Sequence, residues 1–326
     1  MARPDRPGRL RLTPGVGQTR IMRVPRVCVL GSTNMDLVAY VDRYPRLGET
    51  VTGDRFATVP GGKGANQAIA AARAGGAVTM IGAVGRDAFG PQVRATLAGA
   101  GVDLDLLRDV DGPTGTAHIT VDADGGNAIV VIPSANGTMR ELTAADEHAI
   151  AAADVLVMQL ELPLEIVTAG AAVAHRHATR VALTPAPVRP LPGALMSHVD
   201  LLLANQFEAA QLAGIDADAS PGDALGGLLR RVQQAVVTLG ADGGVYGGRG
   251  ERPVRVAAPK VDAVDTTAAG DCFAGALVVA LAEGRPAGDA LGWATAAAAL
   301  SVQRPGASSA MPDRAEIDAF AATLAR

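Results

Sequence analysis

The sequence predicts a layered α/β fold in which helices cover both faces of a mostly parallel sheet. Short β-branched runs alternate with longer stretches rich in Ala and Leu, and this order is typical of parallel strands joined by helical crossovers. The 326-residue chain also has 39 Gly and only 3% aromatic residues, so large rings cannot fill its core. We therefore expect its helices and strands to pack closely through small side chains.

This alternation can be followed along the whole chain. It predicts strands at 27–30, 78–84, 155–160, 180–183, 201–203 and 236–239. It predicts helices between them that include 65–74, 91–100, 164–177 and 224–233. Because the predicted strands are apolar along their length rather than at alternate positions, we expect both of their faces to be buried.

Two segments interrupt the alternation, at about 37–59 and 116–132. Both are strand-like without an intervening helix, and the second carries the hairpin signal Asp124-Gly125-Gly126-Asn127 between two β-branched runs. We expect these segments to leave the main sheet and form a small β lid. Since open α/β sheets bind ligands at the ends of their strands, such a lid would lie beside a binding site.

The first 22 residues differ from the rest of the chain. Residues 1–21 contain five Arg and three Pro, with no apolar run long enough for a secretory signal. We expect residues 1–22 to be a disordered N-terminal arm, with native translation starting at Met22. Residues 23–326 are expected to form one domain that includes the lid.

Composition excludes several classes of protein. A hydrophobic content of 48% with 19% charged residues excludes a disordered chain, and the longest apolar stretches, such as 274–282, are too short to cross a membrane. The 29 basic and 33 acidic residues nearly cancel, so nucleic-acid and membrane partners are not expected. Cys28 and Cys272 lie in apolar segments without metal-ligand spacing, which is typical of buried thiols in a cytoplasmic protein.

One lysine stands out in a glycine-rich loop. The chain has only two lysines, Lys63 and Lys260, and Lys63 lies within Pro60-Gly61-Gly62-Lys63-Gly64-Ala65-Asn66-Gln67. This run is not a P-loop, because Gly64 stands where Ser or Thr is required and Ala57 where the first Gly is required. It is either a turn from a strand to a helix or a loop that brings backbone amides close to a ligand. Lys260 has no role that we can assign.

An amide and a carboxylate follow the first predicted strand. Asn34 and Asp36 are two residues apart, so in extended backbone both side chains point to one face. Together they can grip vicinal hydroxyl groups, because the carboxylate accepts hydrogen bonds and the amide both donates and accepts. An Asx turn is the equally favoured alternative.

A third signal lies at 265–271. The run Asp265-Thr266-Thr267-Ala268-Ala269-Gly270-Asp271 precedes an apolar stretch that predicts a helix beginning near Ala269. Small residues at a helix start leave backbone amides uncovered, and such amides suit a phosphoryl group in transit. The Asp271 carboxylate beside them could accept a proton from an attacking hydroxyl group, or it could simply cap the helix.

The glycine-rich run 61–67 and the run 265–271 together resemble the two signatures of the ribokinase-like (PfkB-type) carbohydrate kinases. Segments 31–36, 45–53, 158–161 and 185–187, and Asn205 with Glu208, match the ribokinase branch of that family in the correct order, from about residue 24 to the C terminus. The resemblance implies a three-layer α/β/α fold with a small β lid. It also implies ATP-dependent phosphorylation of D-ribose at O5, giving D-ribose 5-phosphate and ADP.

The resemblance implies a role for individual residues of the sugar site. The residues implied to hold the sugar are Asn34, Asp36, Gly62, Lys63, Asn66, Glu161 and Asp271. Asp271 would be the general base, and the amides of Ala268, Ala269 and Gly270 would form the anion hole.

The resemblance also implies ATP, Mg²⁺ and K⁺ sites and a homodimer formed through the lid. The residues implied for the nucleotide are Asn205, Thr238, Leu239, Gly240, Ala241, Asp242, Gly243, Gly270 and Thr295. Asn205 and Glu208 would be linked to magnesium. The residues implied for the monovalent cation, mostly through backbone carbonyl groups, are Asp265, Thr267, Ser301, Arg304, Gly306 and Ala310.

Four positions depart from the family pattern. Gln206-Phe207 replaces the usual Glu-Thr, and Pro305 replaces a basic residue. Ala310 replaces a Ser that commonly contacts the cation, which leaves the strength of potassium dependence open.

Two other functions remain as alternatives. One alternative is a related kinase for deoxyribose, fructose or adenosine. The other is a sugar-binding regulator without activity, for which Asp271 and the Ala-Ala-Gly run before it would be unnecessary.

Overall fold

The computed structural model describes residues 23–324, so the arm expected at residues 1–22 lies outside the described residues. The strands are β1 (Arg26–Leu30), β2 (Asn34–Tyr40), β3 (Arg55–Gly61), β4 (Ala77–Gly85), β5 (Leu107–Val110), β6 (Gly115–Val121), β7 (Asn127–Ile132), β8 (Val155–Met158), β9 (Arg180–Leu183), β10 (Leu201–Asn205), β11 (Gln234–Thr238), β12 (Gly244–Gly248) and β13 (Val254–Val256). The helices are α1 (Lys63–Arg73), α2 (Gly90–Gly99), α3 (Ala144–Ala152), α4 (Leu164–Arg176), α5 (Gly193–Met196), α6 (Gln206–Ala213), α7 (Pro221–Leu229), α8 (Ala269–Ala282), α9 (Ala287–Ser301) and α10 (Arg314–Leu324).

A central sheet of nine strands has the order β13-β12-β11-β10-β9-β8-β1-β4-β5. Its neighbouring strands pair in parallel from β11 to β5, whereas β12 pairs antiparallel with both β11 and β13, so β12 alone runs in the opposite direction. Alternate residues of β1 enter two cores: Val27 and Val29 face the core built with α1, α8 and α9, whereas Cys28 and Leu30 face the core built with α3 and α4. The predicted sheet with helices on both faces is confirmed.

A second sheet of four strands has the order β3-β2-β6-β7 and projects from the first as a lid. Its strands reach beyond the predicted segments, because β2 begins at Asn34 and β3 ends at Gly61. Asn34 pairs with Gly61 at this end of the lid. The lid is therefore continuous with the turn after β1 and with the glycine-rich run that begins α1.

The helix predicted at 224–233 is too long. Helix α7 ends at Leu229, and the amide of Gln234 already donates to Asp200 O at 3.1 Å at the start of β11. The residues between them turn the chain from helix to strand. None of the helices in residues 23–324 is long and apolar enough to cross a membrane.

Helices α1 and α8 approach closely because small residues face each other. A Cβ atom added at Gly275 would lie 2.5 Å from Ala70 Cβ, 2.7 Å from Ala71 N and 2.8 Å from Gln67 O. No larger residue fits without moving one helix, so the small-residue content of the sequence has a definite place in the packing. The contact also sets the distance between the first turns of the two helices.

Candidate active site

The turn after β1 and the start of α1 lie directly against each other. A Cβ atom at Gly64 would meet Ser32 N at 2.4 Å, and one at Gly31 would meet Gly64 Cα at 2.7 Å. Gly62, the N-cap residue of α1, has a φ of +91°, a conformation that side chains disfavour. The glycine-rich run is thus a strand-to-helix turn whose backbone must come close to a second loop.

Glu161, three residues beyond β8, joins these two loops. Its Oε2 atom accepts hydrogen bonds from the Ser32 hydroxyl group and, at 3.0 Å, from the backbone amide of Lys63. The Ser32 hydroxyl in turn accepts from the amide of Gly64 at 3.2 Å. The carboxylate therefore satisfies an amide at the N-terminus of α1, where negative charge is favoured, and its Oε1 atom can accept from a ligand.

Asn34 and Asp36 both belong to β2, so the extended conformation is adopted rather than an Asx turn. Asn34 Oδ1 accepts from Asn136 Nδ2 at 2.8 Å, and Asn136 also bonds to both backbone groups of Thr33. This fixes the Asn34 amide so that its NH₂ group can donate. Burial raises the pKa of Asp36 to about 7, with the charges of Glu161 and Asp271 adding to the effect and that of Lys63 opposing it.

Asp271 lies in the first turn of α8 and is only 7% exposed. Its Oδ1 atom accepts from Gln67 Nε2 at 2.8 Å, and its Oδ2 atom accepts from Asn66 Nδ2 at 3.2 Å. Burial raises the pKa of Asp271, whereas the charge of Lys63 and the two amide hydrogen bonds lower it. The carboxylate is thus buried, and two side chains of α1 hold it by hydrogen bonds. The positive charge of Lys63 favours its ionised form.

Lys63 is the positive centre of the site. The charge of Asp271 raises the pKa of its ammonium group above the ordinary value, against the effect of burial. The other carboxylates that raise it are those of Glu161, Glu208 and Asp36. The residues expected to bind the sugar therefore converge at one place, around one ammonium group.

The start of α8 forms a cradle of small residues. Ala268 is the N-cap residue with a φ of 59°, no side chain caps the helix, and a Cβ atom at Gly270 would meet nothing within 4 Å. The amide of Ala269 donates to Thr266 O at 3.2 Å, but among residues 23–324 no backbone acceptor takes the amides of Gly270 and Asp271. These two N–H groups are available to an anion at the positive end of the helix.

The residues expected to bind the nucleotide follow neighbouring strands. Asn205 at the end of β10 pairs with Thr238 at the end of β11, and Gly240–Asp242 form the 3₁₀ turn that follows. Asn205 and Glu208 form a capping box at the start of α6, in which Glu208 Oε2 accepts from Asn205 N at 2.9 Å. Thr295 lies buried in α9, where its hydroxyl donates to Leu291 O at 2.7 Å.

The residues expected around a monovalent cation lie on two loops that Asp265 joins. Its carboxylate accepts from the amides of Thr267 and Gly306, both at 2.9 Å. Burial acts to raise the pKa of Asp265, but these hydrogen bonds hold it below its ordinary value. Among the other members, the Ser301 hydroxyl donates to Ala298 O, Arg304 pairs with Glu316, and the Ala310 side chain has no polar atom. Within the described part of the chain, no group of three or more His, Cys, Asp or Glu side chains converges on a metal position.

Four polar residues of the site were not among the predicted site residues. Ser32, Gln67 and Gln159 lie inside sequence runs that carry the resemblance, so the sequence could have pointed to them as site residues. Asn136 lies in the 3₁₀ helix Ser134–Thr138, outside every run, and nothing in the sequence points to it. Its contacts with Thr33 and Asn34 span more than a hundred residues.

The comparisons with known proteins agree with this geometry. The model of the pfkB family carbohydrate kinases matches residues 24–314. The chain is 40% identical to a ribokinase of Schizosaccharomyces pombe, over 90% of this chain and 96% of that protein. It is also 40% identical to a ribokinase of Bacillus subtilis, over 90% of this chain and 98% of that protein.

A solved structure agrees as well. The structure of Arabidopsis thaliana ribokinase complexed with ribose and ATP superposes with a TM-score of 0.86 at 32% identity, and the match covers 92% of this chain and 99% of that one. Both the family model and the curated relatives cover nearly the whole described chain. The chain belongs to the pfkB family of carbohydrate kinases.

Proposed function

We propose that this chain is an ATP-dependent ribokinase, which transfers the γ-phosphoryl group of ATP to O5 of D-ribose and releases D-ribose 5-phosphate and ADP. The names of its relatives, and the ribose and ATP of the Arabidopsis complex, support this assignment. The observation that carries it is the position of Asp271. A buried carboxylate at the exposed amides of a helix N-terminus lies beside Lys63, where a sugar hydroxyl and a phosphoryl group can meet.

Some polar residues of the site accept hydrogen bonds from ribose, and others donate hydrogen bonds to it. Asp36 and Glu161 accept hydrogen bonds from hydroxyl groups, while Asn34 and Lys63 donate to ribose oxygens. Asn66 has a buried Oδ1 atom with no protein hydrogen-bond partner among the described residues, and a ribose hydroxyl would satisfy it. The backbone of Gly62 can approach the sugar because it carries no side chain.

Asp271 then acts as the general base. It accepts the proton of the 5-hydroxyl group as O5 attacks the γ-phosphorus; the O5–P bond forms, and the bond from phosphorus to the β,γ-bridging oxygen breaks, leaving ADP. The amides of Gly270 and Asp271 stabilise the charge on the transferred group. Ala268 and Ala269 shape this cradle, because their small side chains leave it open.

The nucleotide lies along the strand ends in this proposal. Asn205 and the segment 238–243 line the ATP site, with Thr295 near the base. Magnesium fits Glu208, because one carboxylate with the phosphates of a nucleotide is a common Mg²⁺ ligand set, and Asn205 N engages only Oε2. The ion would neutralise phosphate charge.

A potassium ion fits the loops that Asp265 joins. Asp265 offers the only carboxylate of the expected set, and the backbone carbonyl groups of Thr267, Ser301, Arg304, Gly306 and Ala310 offer the neutral oxygens that such an ion accepts. A cation there would order the loop next to the anion hole and strengthen its local field. Because Ala310 lacks a hydroxyl group, we expect the activation by potassium to be modest.

The lid also supports a homodimer. All six residues of β7 are exposed, and it is an edge strand with four large apolar side chains, from Ile129 to Ile132, between 39% and 60% exposed. Exposed apolar edge strands are rare in proteins that stay monomeric. We propose that two lids pair through β7.

Val130→Glu should convert this dimer to a monomer, because a charge would be buried at the interface, and should raise the KM for ribose by loosening the lid. Sedimentation velocity gives the mass, and initial rates give KM. Ala322→Glu, on the exposed face of α10, is the matched control and should remain dimeric. A Val130→Glu protein with the wild-type mass would contradict the lid interface.

Ribose affinity should fall as the pH drops below about 7, because the raised pKa of Asp36 means that its carboxylate becomes protonated there and accepts fewer hydrogen bonds. The loss should approach about tenfold per pH unit. Calorimetry of ribose binding without ATP measures this. Asp36→Asn should bind weakly at every pH. Equal wild-type affinity at pH 6 and pH 8 would contradict the role of Asp36.

The test of the function is an assay of ADP release with ribose, deoxyribose, fructose and adenosine, each with and without potassium. We expect the highest kcat/KM with ribose. A higher value with adenosine would identify a nucleoside kinase, and binding of ribose without ADP release would identify a regulator.

A further inference from the structure

Behind the proposed base lies a buried pair of amides that the mechanism above does not use. Gln67 and Gln159 are 0% and 1% exposed, respectively. Gln67 is the fifth residue of α1, and Gln159 directly follows β8. Burying two neutral polar side chains beside a carboxylate is costly unless their hydrogen bonds are made, so their arrangement is informative.

The two amides form a directed chain that ends on Asp271. Gln159 Nε2 donates to Gln67 Oε1 at 2.6 Å, and Gln67 Nε2 donates to Asp271 Oδ1 at 2.8 Å. Gln67 Nε2 also lies 3.3 Å from the Thr184 hydroxyl. Since Oε1 of Gln67 is occupied by a donor, its NH₂ group must face the carboxylate. The reversed amide would set an oxygen against the carboxylate and two NH₂ groups against each other.

We propose that Gln159 and Gln67 are positioning residues that fix the orientation of the Asp271 carboxylate and direct Oδ2 to the substrate hydroxyl. Gln67 holds Oδ1 firmly. From the described residues, Oδ2 accepts only the longer bond from Asn66, at 3.2 Å, and so keeps the capacity to accept a proton. This inference rests on the proposed function, because it needs Asp271 to be the base.

The titratable groups around Asp271 do not orient its carboxylate by hydrogen bonds. The titratable groups that face it are Lys63 from α1, Glu161 after β8, Asp36 from β2 and the thiol of Cys272, whose pKa burial raises to about 12. Lys63, Glu161 and Asp36 set the charge around Asp271, whereas the Cys272 thiol adds none. Within residues 23–324, only Gln67 and Asn66 donate side-chain hydrogen bonds to the carboxylate.

The test is a cycle of Gln67→Met, Gln159→Met and the double variant, since Met keeps the length of the side chain without its donors. We expect Gln67→Met to lower kcat by about 10- to 100-fold and Gln159→Met by about 2- to 10-fold. The ribose Kd should stay within a few-fold. The double variant should be no slower than Gln67→Met, because Gln159 acts only through Gln67.

The pH profile supplies a readout that a merely structural role would not move. Because the bond from Gln67 lowers the pKa of Asp271, Gln67→Met should shift the acidic limb of kcat to higher pH. Gln92→Met, which removes a hydrogen bond to Ala88 O on the exposed side of α2, is the matched control and should keep both rate and profile.

Several results would overturn this positioning relay, the chain of hydrogen bonds from Gln159 through Gln67 to Asp271. They are additive losses in the double variant, an unchanged kcat in Gln67→Met, and equal losses in kcat and ribose affinity. Where Gln67→Met fails to fold, Gln159→Met decides alone, because it does not touch the carboxylate: lower kcat with unchanged ribose Kd supports the relay, and unchanged kcat overturns it. Absence of ribose phosphorylation by the wild type would overturn the proposed function together with the relay, whereas an active wild type with unaffected variants overturns the relay only.

Discussion

Asp271→Asn should lower kcat by about 10²- to 10⁴-fold, the range expected for loss of a positioned general base. The amide has the shape of the carboxylate but cannot accept the proton of the 5-hydroxyl group. Ribose should still bind with a Kd within a few-fold of wild type, because Lys63, Asp36 and Glu161 remain. Stopped-time assays of ADP release give kcat, and calorimetry gives the Kd.

The fold should survive this substitution. The new NH₂ group would face Asn66 Nδ2, but Asn66 has an Oδ1 atom without a protein partner in the described structure and can turn it toward residue 271. Asp289→Asn, at an exposed position in the first turn of α9, controls for the loss of a helix-start carboxylate and should keep full activity. Turnover of Asp271→Asn near the wild-type rate would refute its assignment as the base.

Gly275→Ala should destabilise the protein by about 1–3 kcal/mol and also reduce kcat. The added Cβ would lie 2.5 Å from Ala70 Cβ, so α1 and α8 must move apart. Because α1 carries Asn66 and Gln67 and α8 carries Asp271, the shift lengthens the hydrogen bonds that hold the base. Urea unfolding and initial rates with saturating ribose measure the two effects.

Gly226→Ala is the matched control for this substitution. Gly226 is also inside a helix, α7, but a Cβ atom there would meet nothing within 4 Å. It should leave kcat unchanged and stabilise the fold by about 0.5–1 kcal/mol, since Ala loses less conformational entropy than Gly in a helix. Equal stability effects of the two substitutions would contradict the close contact of α1 and α8.

Most of the fold could be predicted from local patterns in the sequence. The apolar runs place β1, β4, β8 and β9 to within about two residues, and the spacing of Asn34 and Asp36 requires only an extended strand to bring both side chains to one face. The strand-like segments without helices anticipate the second sheet. Such signals depend on neighbours within a few residues, which is the range in which periodicity is informative.

Contacts between residues far apart in the sequence could not be predicted. Asn66 and Asp271 are 205 positions apart, and Asn34 and Asn136 are 102 apart. No pattern in either segment reveals its partner, because the distance is set by how helices and loops pack. The pairing of Arg304 with Glu316, 12 positions apart, is likewise visible only in three dimensions.

The position of the transferred phosphate tests the central claim most directly. ¹³C-labelled ribose is incubated with ATP, magnesium and the wild-type protein, and the product is followed by ³¹P–¹³C coupling. We expect a single phosphorylated product, coupled at C5, and none with Asp271→Asn on the same time scale. A phosphate on another carbon, or no product from ribose, would contradict the proposal that Asp271 directs the 5-hydroxyl group of ribose to ATP.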